Sequence, residues 1–239
     1  VIEAARGGTG IEGFISREGF ANSNVERYYS YIDRSLYFNG MINPIIPYGI
    51  KGAFWYQGCN NHQPNNNIYL DEEIALLKDW RTRWGNDFYF ILSELAAYNG
   101  GSGFPAIRQA QLDLRDKAEN VGVISIMDVI PDNPSNIHPV NKQPVADRFA
   151  LCAEGMVYGK DVEYLFPAPE SCAINDDGSV TVTFKDVYGG LKADGDVTGF
   201  ELVQGGNVYS AAAQITSANI IKVSAAGVTA PTQIRYCYK

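Results

Sequence analysis

Up to about residue 158, short apolar runs alternate with segments whose apolar residues recur every three or four positions. The runs are Ile50 to Tyr56, Phe88 to Leu95 and Val121 to Met127, each of a length that suits a strand buried on both faces. Val1 to Ala5 reads as the end of a further strand running into Arg6-Gly7-Gly8-Thr9-Gly10. Residues 24 to 38 carry a helical pattern. Leu70, Ile74, Leu77, Arg81 and Trp84 follow helical spacing, with Asp71, Glu72 and Glu73 in a first turn where the helix dipole favours acids. Pro105 suits a first helical turn ahead of Ile107, Ala110 and Leu114. Val145, Phe149, Cys152 and Met156 mark a closing helix. Strands separated by such helices predict an α/β fold, a parallel sheet flanked by helices.

From about residue 160 the period changes. Phe166-Pro167-Ala168-Pro169 reads as a linker, and Val180, Val182 and Phe184 then alternate with polar residues after an Asp177-Gly178 turn. Gly199 to Gln204, Ile220 to Ser224 and Gln233 to Tyr238 are further short β-runs. The expected organisation is an α/β domain over 1–160 and a small antiparallel β module over 161–239.

Composition narrows the function classes. Apolar residues make up 46% and charged residues 19% of the 239, the balance of a chain that builds a core. The net charge of −8, with scattered basic residues, argues against nucleic acid or an anionic membrane surface as partner. No apolar run has the length to span a bilayer. Cys59, Cys152, Cys172 and Cys237 show no CxxC spacing, and two histidines with scattered acids make a poor metal site, so neither metal nor cofactor is expected. Cys172 and Cys237 could pair in an oxidising compartment, or all four thiols could be free. A secreted or periplasmic setting is slightly favoured over a cytoplasmic one.

In parallel sheets ligands bind beyond the carboxyl ends of the strands. Three polar clusters fall at such ends: Gly7-Gly8-Thr9, Gln57 to Asn61, and Asp128 to His138. Gln57 and Asn61 are candidate amide donors to an oxyanion, or buried amides that satisfy loop backbone. Gly8 is a turn glycine or a backbone N–H left open to a tetrahedral intermediate. His138 is a surface residue or a general base, and as a base it needs an orienting acid, for which Asp128 and Asp132 are the nearby carboxylates. Trp55 and Tyr56 are expected in the core and His62 in solvent. Cys59 reads as a loop filler, since no basic neighbour lowers its pKa. Ser16, Ser93 and Ser102 sit in no Gly-x-Ser-x-Gly elbow, so no convincing nucleophilic serine is present.

Several of these segments, in order, carry a resemblance. Gly7-Gly8-Thr9-Gly10-Ile11-Glu12, Asn39-Gly40-Met41-Ile42-Asn43-Pro44, Ile50 to Gly58, Ile107-Arg108-Gln109-Ala110-Gln111 and Ile137-His138-Pro139-Val140-Asn141-Lys142 resemble the sialate O-acetylesterase family of SGNH-type hydrolases. The tail ending Ile234-Arg235-Tyr236-Cys237-Tyr238 is similar to the family's C-terminal β region. The resemblance implies an SGNH-hydrolase-like fold and a serine esterase acting on an acetylated carbohydrate, sialic acid or a related sugar. Acetylated xylan or another plant glycan is the alternative substrate, and a non-catalytic carbohydrate-binding protein the alternative class. It assigns oxyanion donors to Gly8 and Gln57 and the base to His138. The family's serine lies in a Gly-Gln-Ser-Asn turn upstream of the Gly-Gly-Thr block, so it is expected from a segment before Val1 or from a separate chain.

Three segments depart from the family pattern. Gln57-Gly58-Cys59-Asn60-Asn61 stands where the family has Gln-Gly-Glu-Ser-Asn, which removes a carboxylate. Phe14 stands where tryptophan is common. Ser135 and Asn136 stand where an aspartate often precedes the histidine, leaving Asp128 or a backbone carbonyl to orient His138.

Overall fold

A computed structural model of the chain describes residues 1–25, 34–62, 68–129 and 135–238. They form two compact units, Val1–Tyr164 and Leu165–Tyr238.

The first unit is built on three parallel strands in the order β1 (Gly52–Trp55), β2 (Tyr89–Ser93), β3 (Val121–Ile124). Among the described residues four α-helices accompany them: α1 (Arg17–Ala21), α2 (Tyr69–Trp84), α3 (Phe104–Lys117) and α4 (Gln143–Met156). Alternation along the strands divides the side chains between two apolar faces, which is why the runs look uniformly hydrophobic. Trp55 and Phe90 face α2, where Trp80 packs edge-on to both. Phe54, Ile91 and Ile124 face the other way, toward Phe149 and Cys152 of α4. Gly122 of β3 leaves room for that helix, since a Cβ there would lie 2.9 Å from both Cys152 Sγ and Met156 Sδ.

Helix α2 differs from its sequence reading in rotation. Tyr69, Glu72, Glu73, Leu76 and Trp80 are buried, as is Leu77 of the predicted stripe, whereas Leu70, Ile74, Arg81 and Trp84 form a half-buried flank. Only Asp71 of the three acids is exposed to solvent near the helix start. Gly85, left-handed at φ 65°, closes the helix with its N–H on the Arg81 carbonyl.

Strand pairing corrects other expectations. Val1–Ala5 forms no strand and pairs with no neighbour among the described residues. Asp128 does not end a strand; β3 stops at Ile124 and Asp128 lies in the turn beyond it. The helical pattern of residues 24–38 falls mostly outside the described residues. From Phe38 the chain forms a π-helical turn (Phe38–Ile42) and then a 3-10 turn (Asn43–Ile45).

Ser16 caps α1, accepting from the Gly19 N–H and donating to Asp79 Oδ1 at 2.7 Å while fully enclosed. Ser16→Ala is expected to lower stability by about 1–2 kcal/mol, read from the denaturant midpoint, because it removes a cap and leaves Asp79 short of a partner.

The second unit is one antiparallel sheet in the order β4-β5-β8-β7-β6-β9: β4 Ala168–Ile174, β5 Val180–Lys185, β6 Val197–Gln204, β7 Asn207–Ser217, β8 Ile220–Ser224, β9 Gln233–Tyr236. Val182, Leu202, Ile221 and Val223 lie in its core. The supposed linker is the start of β4, an edge strand, where Pro169 need not donate to a ladder. β7 is an addition to the predicted set; it comes after β6 through Gly205 and Gly206, both with positive φ, and its Ala211–Ala213 stretch has little strand signature. None of the four cysteines is in a disulfide; Cys172 lies in β4 and Cys237 just after β9, at opposite ends of the strand order.

Candidate functional site

The carboxyl end of β1 runs directly into Tyr56-Gln57-Gly58, and a 3-10 turn over Cys59–Asn61 folds the loop back. Gly58 makes the reversal with φ 136° in a tight space bounded by Ile107, Gln111 and Tyr69. The half-buried Gln57 side chain then reaches two other segments. Its Nε2 donates to the Thr9 carbonyl at 2.9 Å and to Asn61 Oδ1 at 2.8 Å, while its Oε1 accepts from Tyr69 Oη at 2.8 Å. These partners fix the amide's orientation, since a flipped amide would set oxygen against two acceptors. The Gln57 carbonyl accepts from Gln111 Nε2 at 2.9 Å, and Gln111 Oε1 accepts from the Leu95 N–H, tying the ends of β1 and β2 to α3.

Asn61 is fully buried and joins the network to the Gly-Gly-Thr segment. Its Oδ1 also accepts from the Ile11 N–H at 3.1 Å, and its Nδ2 donates to Glu12 Oε2 at 3.1 Å. Thr9 Oγ1 closes the preceding turn on the Arg6 carbonyl. Gly8, at the exposed rim of this turn, is left-handed at φ 68°, and a Cβ added there would meet nothing within 4 Å. Gly8, Gln57 and Asn61 are therefore brought to one place from segments about fifty residues apart.

The 138–142 segment approaches the same strand end through Lys142, whose Nζ stands over the Tyr56 ring at 5.6 Å and donates to the Pro139 carbonyl. Tyr56 is thus partly exposed and not in the core, and burial of its hydroxyl pushes it up to about 12. His138 is exposed, its N–H on Asn136 Oδ1, and its imidazole has no hydrogen-bond partner among the described residues. Asp128 is not brought to it. Both Asp128 oxygens are held by Arg148, at 2.6 and 2.7 Å, and that guanidinium keeps the carboxyl below its usual range. Asp132 lies outside the described residues.

Cys59 is half-buried and burial pushes its thiol up to about 11, outweighing the nearby charge of Lys142, so it lacks the thiolate character of a nucleophile. His62 is not solvated: it packs on Phe104 at 5.0 Å, and its Nδ1–H donates to the Cys59 carbonyl. Ser16 and Ser93 are buried and committed, the latter to the Glu94 carbonyl.

Two features escaped sequence reasoning. Glu94, just past β2, is buried, accepts from Ser125 Oγ, and is pushed up to about 7 by burial, against the pull of Ser125, Arg108 and Arg148. A carboxyl directly after a buried strand was the available signal. Beneath the Gln57 network, Glu72 is pushed up to about 10, first by burial and then by the charge of Glu12. Native Glu72 thus keeps its proton where the unfolded chain has lost it, from about the ordinary 4.5 up to about 10. Its contribution to stability is complete below that window and is lost as pH rises through it. Glu72→Gln is therefore expected to flatten the fall in unfolding free energy between pH 6 and 8 by about 1 kcal/mol per pH unit. Equal pH slopes for the two proteins would refute the assignment.

No group of three or more His, Cys, Asp or Glu suited to a metal occurs among the described residues, and no described helix is long and apolar enough to cross a membrane.

The sequence matches known proteins over this same region. It is 30% identical to human sialate O-acetylesterase over 198 residues, covering 71% of this chain and 38% of that protein. The rat sialate O-acetylesterase is 33% identical over 156 residues, covering 57% and 29%. The chain thus spans well under half the length of these curated relatives. In three dimensions it superposes on a crystal structure of a carbohydrate acetylesterase from Xanthomonas citri with a TM-score of 0.85 and 28% identity, over 96% of this chain and 53% of the other. The family pattern described as carbohydrate esterase, sialic acid-specific acetylesterase, matches residues 1–146. That stretch contains every residue of the Gln57 network and His138, and the chain belongs to this family of carbohydrate esterases.

Proposed function

We propose that this chain is part of a carbohydrate O-acetylesterase that removes acetyl groups from sialic acid or a related sugar. The observation that carries the reading is the Gln57 amide, held at the carboxyl end of β1 between Thr9 and Asn61. Asn61 Oδ1 accepts a second bond from the Ile11 N–H, so it stays satisfied if one Gln57 hydrogen turns to an oxyanion. The Gly8 N–H is the second donor, at a rim where a tetrahedral centre finds space. The nucleophile is a serine from a segment preceding Val1, in the same polypeptide or as a separate chain. A parallel strand added to the outer edge of β1, which pairs only with β2 among the described residues, would deliver it beside Gln57.

The serine attacks the acetyl carbonyl as His138 takes its proton, and the resulting oxyanion is held by Gly8 and Gln57. His138 returns the proton to the departing sugar hydroxyl. Water, deprotonated by the same imidazole, then releases acetate. With Asp128 taken by Arg148, we assign the orientation of His138 to the substrate-bound state.

The test is hydrolysis of 4-nitrophenyl acetate by the protein extended upstream of Val1, then of 9-O-acetylated sialic acid and acetylated xylan in competition. Saturable release of acetate, fastest from the sialic acid, is the expected result. Release fastest from xylan transfers the assignment to plant glycan. The unpartnered imidazole and the replaced acid at Cys59 favour a second reading, a non-catalytic carbohydrate-binding protein. Binding of acetylated sugar without turnover by the extended protein would establish that one.

A further inference from the structure

The Gln57 network rests on a buried cluster of acids. Glu12, in the 3-10 turn Ile11–Phe14, and Glu72, in the first turn of α2, are both 0% exposed, and Glu73 beside them is 1% exposed. The two carboxyls of Glu12 and Glu72 lie within hydrogen-bonding reach of each other. Neither oxygen of Glu72 is reached by an N–H or O–H donor among the described residues. Among the described residues the facing groups are few: Glu12, Glu73 and Tyr69 bring no positive charge, and Arg34 brings one. One guanidinium balances one carboxylate. A second ionised carboxylate in the same enclosed space would carry an uncompensated charge, whose burial costs more than binding a proton.

We propose that Glu72 is a neutral carboxylic acid donating its proton to Glu12, and that this buried acid pair is a positioning device for the Gln57 amide, acting through Asn61. The connection is continuous. Glu12 Oε2 accepts from Asn61 Nδ2, which turns Asn61 Oδ1 toward both the Ile11 N–H and Gln57 Nε2. Without a donor on Glu12, two carboxylates repel and Glu12 swings from Asn61. The Asn61 amide is then free to turn, presenting a donor to Gln57 where an acceptor had been. Glu72 touches no part of the reacting centre. Its effect on turnover rests on the esterase reading above; its protonation does not.

The experiment has two independent readouts. Carbon-13 NMR of the protein labelled at glutamate carboxyls is expected to show, at pH 8, a protonated carboxyl signal lost in Glu72→Gln and kept in Glu73→Gln. If no signal is lost in Glu72→Gln, Glu72 is ionised and the proposal falls. In the extended protein, Glu72→Leu is expected to lower kcat for an aryl acetate about tenfold with KM held within about twofold, as for a misplaced catalytic group. Glu72→Gln, which still donates to Glu12, is expected to restore most of that loss. Equal kcat in Glu72→Leu and Glu72→Gln overturns the positioning role even where the NMR signal behaves as expected. An extended wild-type protein with no turnover refutes the esterase reading and with it the kinetic role, while the NMR arm still decides the acid pair, including where Glu72→Leu fails to fold.

Discussion

His138→Ala in the extended protein is expected to lower kcat/KM for an aryl acetate by about 10²–10⁴-fold, the range contributed by a general base. The serine hydroxyl is a weak nucleophile until its proton has somewhere to go. Cys59, whose thiol burial pushes up to about 11, keeps its own proton and cannot receive it. Most of the loss should appear in kcat, because the imidazole handles a proton and does not contact the sugar in the proposed pose. The exposure of His138 adds a second expectation. A cavity opened at the surface admits solute, so added imidazole should recover part of the activity of the alanine variant and none of that of a variant lacking the serine. Full activity in His138→Ala would remove this residue from the mechanism.

Gly58→Ala should damage stability and site together. The residue sits at φ 136°, where an L side chain costs on the order of 1–3 kcal/mol. Its Cβ would lie 2.9 Å from Ile107 Cγ2 and 3.2 Å from both Gln111 Nε2 and Tyr69 Oη. Overpacking of that kind adds about 1–3 kcal/mol, for a total of roughly 2–6 kcal/mol in the denaturant midpoint. The two polar neighbours are those that bond the Gln57 carbonyl and side chain, so their displacement also loosens the proposed oxyanion donor. Gly8→Ala is the comparison. Its φ of 68° carries the conformational cost alone, since no atom lies within 4 Å of the added methyl. It should therefore lose much less stability than Gly58→Ala while still crowding the approach to the Gly8 N–H. Equal destabilisation by the two substitutions would show that the enclosure of Gly58 has been misread.

The elements legible in the sequence were those whose side-chain period is local. β1, β2 and β3 announced themselves as apolar runs, and α3 and α4 through their three-and-four spacing. Gln57 and Asn61 stood out because polar residues soon after a buried strand face the ligand-binding edge of a parallel sheet. β4 and β7 did not: an edge strand tolerates proline, and alanines pack in a sheet without a β signature.

Period and composition thus determined the fold class and the strand end that carries the amides, because both depend on spacing within a few residues. Only the tertiary structure decided what each polar group does. Glu72 carries the same side chain as an exposed helix-start acid, and the rotation of α2 alone puts it in the core against Glu12. Asp128 is an equally ordinary loop carboxylate until the turn of α4 presents Arg148, twenty residues on, to both its oxygens. Gln57 meets Thr9 across forty-eight residues. Hydrogen bonding and charge depend on which atoms stand within a few ångströms, and that distance is set by sheet register and helix rotation, not by the local spacing of the chain.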